Sequence, residues 1–176
     1  AYIMASSIKS FTGSNIIEVS EEKAIAAAEN YDDEDILSEN VSTGTAWNFD
    51  EIVRHDGGIG KIVKAIISIE TTDLVPALTL YLFNITPTGE TDDNKANDNP
   101  VLGDKEEYQG RIDWSAMDNS GGISEAQVIF NPPLPFACAS ADDSLFGILV
   151  TNTAFTNEAA GMKCLIKLMV DQSTES

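Results

Sequence analysis

The stretch 162-MKCLIKLMV-170 carries the pattern that decides the fold of this chain. Every second residue from Met162 to Val170 is apolar, whereas Lys163 and Lys167 occupy positions in between. Successive side chains of a β-strand point to opposite faces of its sheet, so strict alternation marks a strand with one buried face and one solvated face. The segment therefore predicts a β-strand on the surface of a packed core.

The same alternation recurs upstream, which extends the strand prediction over most of the chain. In 59-IGKIVKAIISIE-70 the residues at odd positions from Val63 onwards are apolar, and in 77-ALTLYLFN-84 three leucines share one face. The run 144-SLFGILVTN-152 is apolar on both faces, which is typical of a central strand covered twice. Shorter strand-like runs are 46-AWNFDEIV-53, 110-GRIDWS-115 and 125-EAQVIF-130.

Turn signals separate these runs, among them Asp56-Gly57-Gly58, Ser120-Gly121-Gly122 and Pro132-Pro133. Many strands joined by turn-rich connections predict an all-β, antiparallel β-sandwich. Eight or more strands with one long excursion fit a jelly roll better than an immunoglobulin domain. At most one short helix is expected, over 20-SEEKAIAAAEN-30, where Ser20 would be the N-cap residue.

At 176 residues the chain has the length of one domain with a core of its own. We place the jelly-roll domain at residues 21–170. The N-terminal segment 1–20 is a candidate docking arm, and the polar tail 171-DQSTES-176 is predicted to be disordered.

The formal charge of −19, from 10 basic and 29 acidic residues, excludes several classes of partner. Such a field repels phosphate backbones and anionic lipid surfaces, so neither nucleic acid nor a membrane is expected as a partner. No apolar run approaches the roughly 20 residues that a membrane-spanning helix needs. The start of the chain has no basic region followed by an apolar region, so it is not a secretory signal as written.

Two segments hold much of the acidity, 86-TPTGETDDNKANDNPVLGDKEE-107 and 29-ENYDDEDILSE-39. Neither Asp92 nor Asp93 begins an EF-hand loop, because the required oxygen ligands and glycine are missing at the following positions. We predict solvated surface loops in both places, and we expect no metal or cofactor. A looser calcium site from Asp92, Asp93 and Asp98 stays open as an alternative.

Residues suited to catalysis are scarce. The single histidine, His55, lies in a turn-like context, so no Ser–His–Asp or Cys–His arrangement is expected and the protein is not predicted to be an enzyme. Trp47 and Trp114 fall on apolar strand faces, which places both in the core. Cys138 and Cys164 are interpreted as buried thiols, with one disulfide as the alternative.

Several of these motifs taken together resemble a known group of proteins. The motifs are Trp47-Asn48-Phe49, 57-GGIGKIVKAIISIE-70, 78-LTLYLFNITPTGETDDNKAND-98, 111-RIDWS-115 and 146-FGILVTNTAFT-156. In this arrangement the chain resembles small jelly-roll structural proteins of tailed bacteriophages, which are capsid decoration (cement) or head-associated proteins. The resemblance covers about two-thirds of the chain, and no catalytic residue is carried over from it.

The resemblance implies a non-enzymatic virion protein that is made in the host cytoplasm and sits on the capsid exterior. Its partner would be the major capsid protein, and the protein itself would be a dimer or trimer. The apolar residues of 2-YIMASSIKSF-11 are the candidate partner-binding residues: Tyr2, Ile3, Met4, Ile8 and Phe11. An ordinary edge strand is the alternative for this segment. A head-fibre base and a carbohydrate-binding jelly-roll module are the alternative functions.

Overall fold

The computed structural model describes residues 15–172 and, for residues 7–10, the backbone. These residues are almost entirely strands and loops, which confirms the all-β prediction; a 3-10 turn at Leu102–Asp104 is the one helical element among them. The strands are β1 (Ser7–Ser10), β2 (Ile16–Ala24), β3 (Trp47–Phe49), β4 (Ile59–Ile69), β5 (Leu78–Phe83), β6 (Tyr108–Asp113), β7 (Asp118–Asn119), β8 (Ser124–Ala137), β9 (Leu145–Thr151) and β10 (Lys163–Asp171).

The strands form two sheets that pack face to face, as a β-sandwich requires. The larger sheet has the order β1-β2-β10-β4-β8-β7, the smaller one has the order β3-β9-β5-β6, and all pairs of strands are antiparallel. Early strands pair with late ones in nested order: β2 with β10, β3 with β9, β4 with β8 and β5 with β6. The chain is thus one long hairpin rolled into two sheets, which is the jelly-roll arrangement predicted from the sequence.

Alternation along β10 places its apolar side in the core. Cys164, Ile166, Leu168 and Val170 are fully buried, as predicted. On β4 the prediction was wrong by one residue at its start, because the structure buries Ile62 instead of its neighbour. A β-bulge between positions 62 and 64 inserts an extra residue and so shifts the phase of the alternation.

Strand β9 is buried on both faces, which confirms its prediction as a central strand. Leu145 and Leu149 join the core between the sheets, whereas Ile148 and Val150 join a second apolar cluster on the outer face of the smaller sheet. Gly147 lies on the inner face, where an added Cβ would be 2.6 Å from Leu80 Cδ1. Side chains of the neighbouring strands of the same sheet, Leu80 on β5 and Phe49 on β3, therefore fill the space over this glycine.

The helix predicted over residues 20–30 does not form. Residues up to Ala24 belong to β2, and the following residues 25–30 are irregular. Strand β2 pairs with β10 along nine positions, from Ala24 opposite Lys163 to Ile16 opposite Asp171. This ladder outweighs the modest helix propensity of the Ala-rich segment, because propensity is a weak preference that tertiary context overrides.

Two further sequence expectations fail at strand ends. Asp171 belongs to β10, and the buried Gln172 donates from Nε2 to the Ile52 carbonyl over 2.9 Å, whereas residues 173–176 lie outside the described part. Pro132-Pro133 does not end a strand but lies within β8. Prolines are accommodated there because the pairing of β8 with β4 is interrupted between residues 129 and 134, so no ladder donor is needed.

Candidate interaction surfaces

Segments 25–45 and 85–107 form one layer over the outer face and one edge of the smaller sheet, which we call the acidic layer. Its first segment lies beside β9, beyond the part of β9 that pairs with β3, since Leu37 N donates to Leu149 O over 2.9 Å. The second segment adds on outside the first, since Ile36 N donates to Lys95 O over 2.9 Å. The two segments contain 13 of the 29 acidic residues and two of the 10 basic ones.

The acidic layer is packed, which corrects the prediction of two solvated loops. Beneath it lies the second apolar cluster, in which Ile36 of the layer contacts the outward side chains of β5 and β9. Within 29–39 the side chains of Tyr31 and Leu37 are also buried, and within 86–107 those of Asp93 and Asp104 are buried. Composition could not reveal this, because these carboxylates accept hydrogen bonds from the loops themselves instead of facing water.

Asp93 joins the two segments of the acidic layer. Its side chain is 0% exposed; Oδ1 accepts from Tyr31 Oη at 2.7 Å and from Ser38 N at 2.8 Å, and Oδ2 accepts from Ala27 N at 3.2 Å. Burial raises the pKa of Asp93 although these hydrogen bonds act in the opposite direction. The Tyr31 ring stacks on Phe155, with centroids 4.9 Å apart, and burial raises the pKa of Tyr31, as does Asp93.

The carboxylates of the alternative calcium site serve separate backbone contacts. Asp92 Oδ1 accepts from Gly44 N at 2.8 Å, and Asp98 Oδ1 accepts from Glu90 N at 2.7 Å. Across residues 15–172 no three His, Cys, Asp or Glu side chains converge in an arrangement that could hold a metal ion. The acidic layer therefore uses these three aspartates as backbone acceptors.

A buried lysine ties the acidic layer to the larger sheet. Lys23 Nζ, on β2, donates to Glu39 Oε2 at 2.8 Å and to the Thr45 carbonyl at 2.6 Å, and it lies 5.7 Å from the centre of the Trp47 ring. Burial lowers the pKa of Lys23 even though Glu39 favours its charge. For Glu39, burial acts to raise the pKa, but the hydrogen bonds from Lys23 and Thr45 outweigh it and the pKa is lowered.

Glu21 lies two residues before Lys23 and so on the same side of β2. Desolvation by burial is the main cause that raises the pKa of Glu21 to about 7; Asp50 and Glu39 add to the rise, and Lys23 opposes it. This cluster at the β2 edge of the sandwich thus contains a carboxyl group that titrates near neutral pH.

The opposite side of the sandwich has a different character. We call the outward face of β2, β10, β4 and β8 the lysine face. Its described charged residues are four lysines and four carboxylates: Lys61, Lys64, Lys163, Lys167, Glu18, Glu22, Glu125 and Asp171. The face is therefore close to neutral in a chain of net charge −19.

Apolar side chains lie between the charges of the lysine face. Lys64 is registered between Met169 on β10 and Ile129 on β8, and Ile129 is 72% exposed. Leu165 lies two outward rows further along β10, opposite Ser68, and lines a shallow groove of about 410 Å³ together with Lys163. Ion pairs on this face are long, 3.7 Å for Lys163 with Glu22 and 3.9 Å for Lys167 with Glu18.

The sequence showed both sets of lysines but not that they are neighbours. Lysines alternate with apolar residues in 59–70 and in 162–170, and each set was interpreted as a solvated strand face. Only the pairing of β4 with β10, which are about 100 residues apart in the chain, brings them together.

The remaining candidate residues lie largely where expected. Trp47 and Trp114 are buried in the core, as predicted, and Trp114 Nε1 donates to the Ala65 carbonyl at 3.2 Å. His55 is exposed in a bend before β4, with Nδ1 3.1 Å from the Asp56 carbonyl. Cys138 and Cys164 are buried thiols and are not joined in a disulfide within the described chain; burial raises the pKa of Cys164.

Of the candidate partner-binding residues, Tyr2, Ile3, Met4 and Phe11 lie outside the described residues, as does the side chain of Ile8. The backbone of Ile8 belongs to β1 and pairs opposite Val19 of β2. Strand β1 forms one edge of the larger sheet, which is the alternative that the sequence left open. Partner binding by this segment stays a prediction.

Over the described parts of the chain, no helix has the length and apolar character needed to cross a lipid bilayer. Comparison with known proteins finds no matching family model, no similar curated protein and no similar solved structure.

Proposed function

We propose that this protein is a non-enzymatic structural protein of a tailed-phage virion, which binds the outer capsid surface as a decoration (cement) protein and stabilises the head. The observation that carries the proposal is the division of the jelly roll into two unlike sides, the acidic layer and the lysine face. A protein that coats a shell needs one side that binds the shell and another that keeps the coated particles dispersed.

The acidic layer suits the outward side. With 13 carboxylates against two lysines, it gives every bound copy a negative outer surface. Charge of one sign keeps particles apart in solution, and it keeps free phosphate backbones away. Because the layer is packed onto β9 through backbone hydrogen bonds, it is a fixed part of the domain.

The near-neutral lysine face suits the inward side, because a partner can approach it without crossing a strong repulsive field. A capsid repeats the same subunit many times, so a modest contact at each site still coats the whole shell, and a dimer or trimer gains further by avidity. The resemblance of the strand and loop motifs to phage decoration proteins supports the same function. The carbohydrate-binding alternative lacks comparable support, since stacking on sugars needs exposed aromatic rings and both tryptophans are buried.

Co-sedimentation with shells assembled from the major capsid protein of the same virion tests the proposal. We expect saturable, stoichiometric binding to expanded shells, and a dimer or trimer of the free protein in analytical ultracentrifugation. If the protein stays in the supernatant at micromolar concentration, the decoration role is refuted. Binding to glycans instead of shells, measured with and without calcium, would favour the carbohydrate-binding module.

A further inference from the structure

We infer that the lysine face is the surface that contacts the shell, and that its partner is a protein surface on which carboxylates are interspersed with apolar side chains. The inference rests on the proposed function and adds to it the docking surface and the chemistry of the partner. It also differs from the docking arm expected from the sequence, because it uses the broad face of the larger sheet.

The distribution of charge between the two sides favours the lysine face as the binding surface for an acidic partner. Approach from the side of the acidic layer would bring carboxylates of the partner against an excess of carboxylates, and like charges at an interface are strongly unfavourable. On the lysine face the central strands β4 and β10 carry all four of the lysines described there. Lys64 forms no ion pair within the part of the chain that the structure describes, so its charge is available to a partner.

Apolar side chains are exposed next to the lysines of the lysine face. Ile129 is 72% exposed and is the cross-strand neighbour of Lys64, so both would be covered by the same partner surface. Met169 lies in the same row, on the other side of Lys64, and Ile66 lies in the next outward row opposite Lys167; both side chains are partly exposed. The methylene stems of lysine add apolar area while the amino groups meet carboxylates. An acidic and apolar protein surface matches both features.

The arrangement of charges on the lysine face disfavours three other partners, which are nucleic acid, an anionic membrane and a second copy of the chain. Carboxylates on the flanking strands, Glu18 and Glu22 on β2 and Glu125 on β8, would lie against phosphates of a nucleic acid or an anionic membrane. A second copy of the chain fits poorly as well. Two lysine faces related by a two-fold axis through their centre would place the central lysines of one copy opposite those of the other.

Paired charge and apolar variants test the inference on shells assembled from the major capsid protein of the same virion. Lys64→Glu and Ile129→Asp alter the lysine face at two adjacent, solvent-accessible positions. Lys105→Glu and Leu102→Asp make the same changes in the acidic layer, where Leu102 is 82% exposed. We expect each lysine-face variant to weaken shell binding at least about tenfold and each acidic-layer variant to change it by less than about twofold.

The outcomes separate this inference from the proposed function. If the wild-type protein does not bind shells, the proposed function is refuted and the inference falls with it. If the wild-type protein binds but Lys64→Glu and Ile129→Asp bind equally well, the lysine face is not the docking surface, although the decoration role stands. If these two variants bind shells normally but sediment as smaller species than wild type, a second copy occupies the face and the inference is overturned. Thermal unfolding of all four variants serves as the control for folding.

Discussion

Asp93 is a structural acceptor at the centre of the acidic layer. Its carboxylate receives hydrogen bonds from Tyr31, Ser38 and Ala27, which belong to the other segment of the layer. Buried donors that lose their acceptor retain the full cost of leaving water. This one side chain therefore holds together two segments that are far apart in the chain.

The substitution Asp93→Asn should lower the free energy of unfolding by about 2–3 kcal/mol, because an amide offers one acceptor oxygen where three donors converge and turns an N–H₂ group towards the others. Tyr31→Phe removes one of the three donors and should cost about 1 kcal/mol. Urea denaturation measures both changes, and Asp33→Asn at an exposed position of the same layer is the control. Equal stability of Asp93→Asn and Asp33→Asn would contradict the anchoring role.

Glu21 makes the stability of the fold depend on pH near neutrality. Its pKa of about 7 lies above the ordinary 4.5, so the folded state binds this proton more tightly than the unfolded state does. The stabilisation by the proton is complete below the unfolded pKa and is lost as the pH rises towards the folded pKa of about 7.

We therefore expect Glu21→Gln to raise the melting temperature at pH 8 by a few degrees, about 1 kcal/mol after allowance for its partial exposure, and to change it little at pH 4. Differential scanning calorimetry across this range measures the effect. Glu22→Gln is the matched control, since Glu22 is the next residue, faces outward and lies 3.7 Å from Lys163. A change in melting temperature of the same size at pH 4 and pH 8 would show that changed packing, not titration of Glu21, is responsible.

At the scale of elements, the strands with clean alternation could be predicted from the sequence, and the others could not. Strand β10 was predicted because every second residue along it is apolar and Lys163 and Lys167 lie in between. The second half of β2 was interpreted as the start of a helix, because Ser20 to Ala28 has the composition of a capped helix and only pairing with β10 decides otherwise. The bulge in β4 and the prolines in β8 also depend on partner strands, which a local pattern does not contain.

Deleting residues 1–11 tests the predicted docking arm against its alternative. The deletion removes β1, an edge strand that pairs with β2 alone in the sheet order, so the remaining strands keep their ladders. If residues 1–11 form the docking arm, the thermal transition should stay within a few degrees of wild type while co-sedimentation with shells is lost; if the lysine face alone contacts the shell, both should be retained. Deletion of residues 173–176 is the control. A truncated protein that no longer folds would show that β1 is an integral part of the sandwich instead of an arm.

For the whole molecule, the charge is segregated between two sides of the sandwich; the sequence showed two acidic segments but not that they cover the same side. The total of −19 was known from the sequence, but its segregation depends on which loops cover the smaller sheet and which strands neighbour one another in the larger one. The acidic layer has an excess of carboxylates, whereas the lysine face is close to neutral, so the two sides of one domain differ in their electrostatic interactions with ions and partners. Repulsion between the carboxylates of the acidic layer lowers the stability of the folded state. Added salt screens this repulsion.

Sodium chloride should therefore raise the melting temperature of the free protein as its concentration increases to about 0.5 M, because ions screen exposed carboxylates over distances beyond a few ångströms. The double variant Asp32→Asn, Asp33→Asn should melt about 1–3 °C higher than wild type at low salt and gain less from added salt. The matched double variant Glu18→Gln, Glu22→Gln removes the same charge from the lysine face, where Lys167 lies 3.9 Å from Glu18 and Lys163 lies 3.7 Å from Glu22. It should melt slightly lower than wild type at low salt, since it removes attraction instead of repulsion. Calorimetry over a salt series measures the melting temperatures of the wild type and the two double variants. Equal shifts in the two double variants would mean that net charge, not its segregation between the two sides, governs stability.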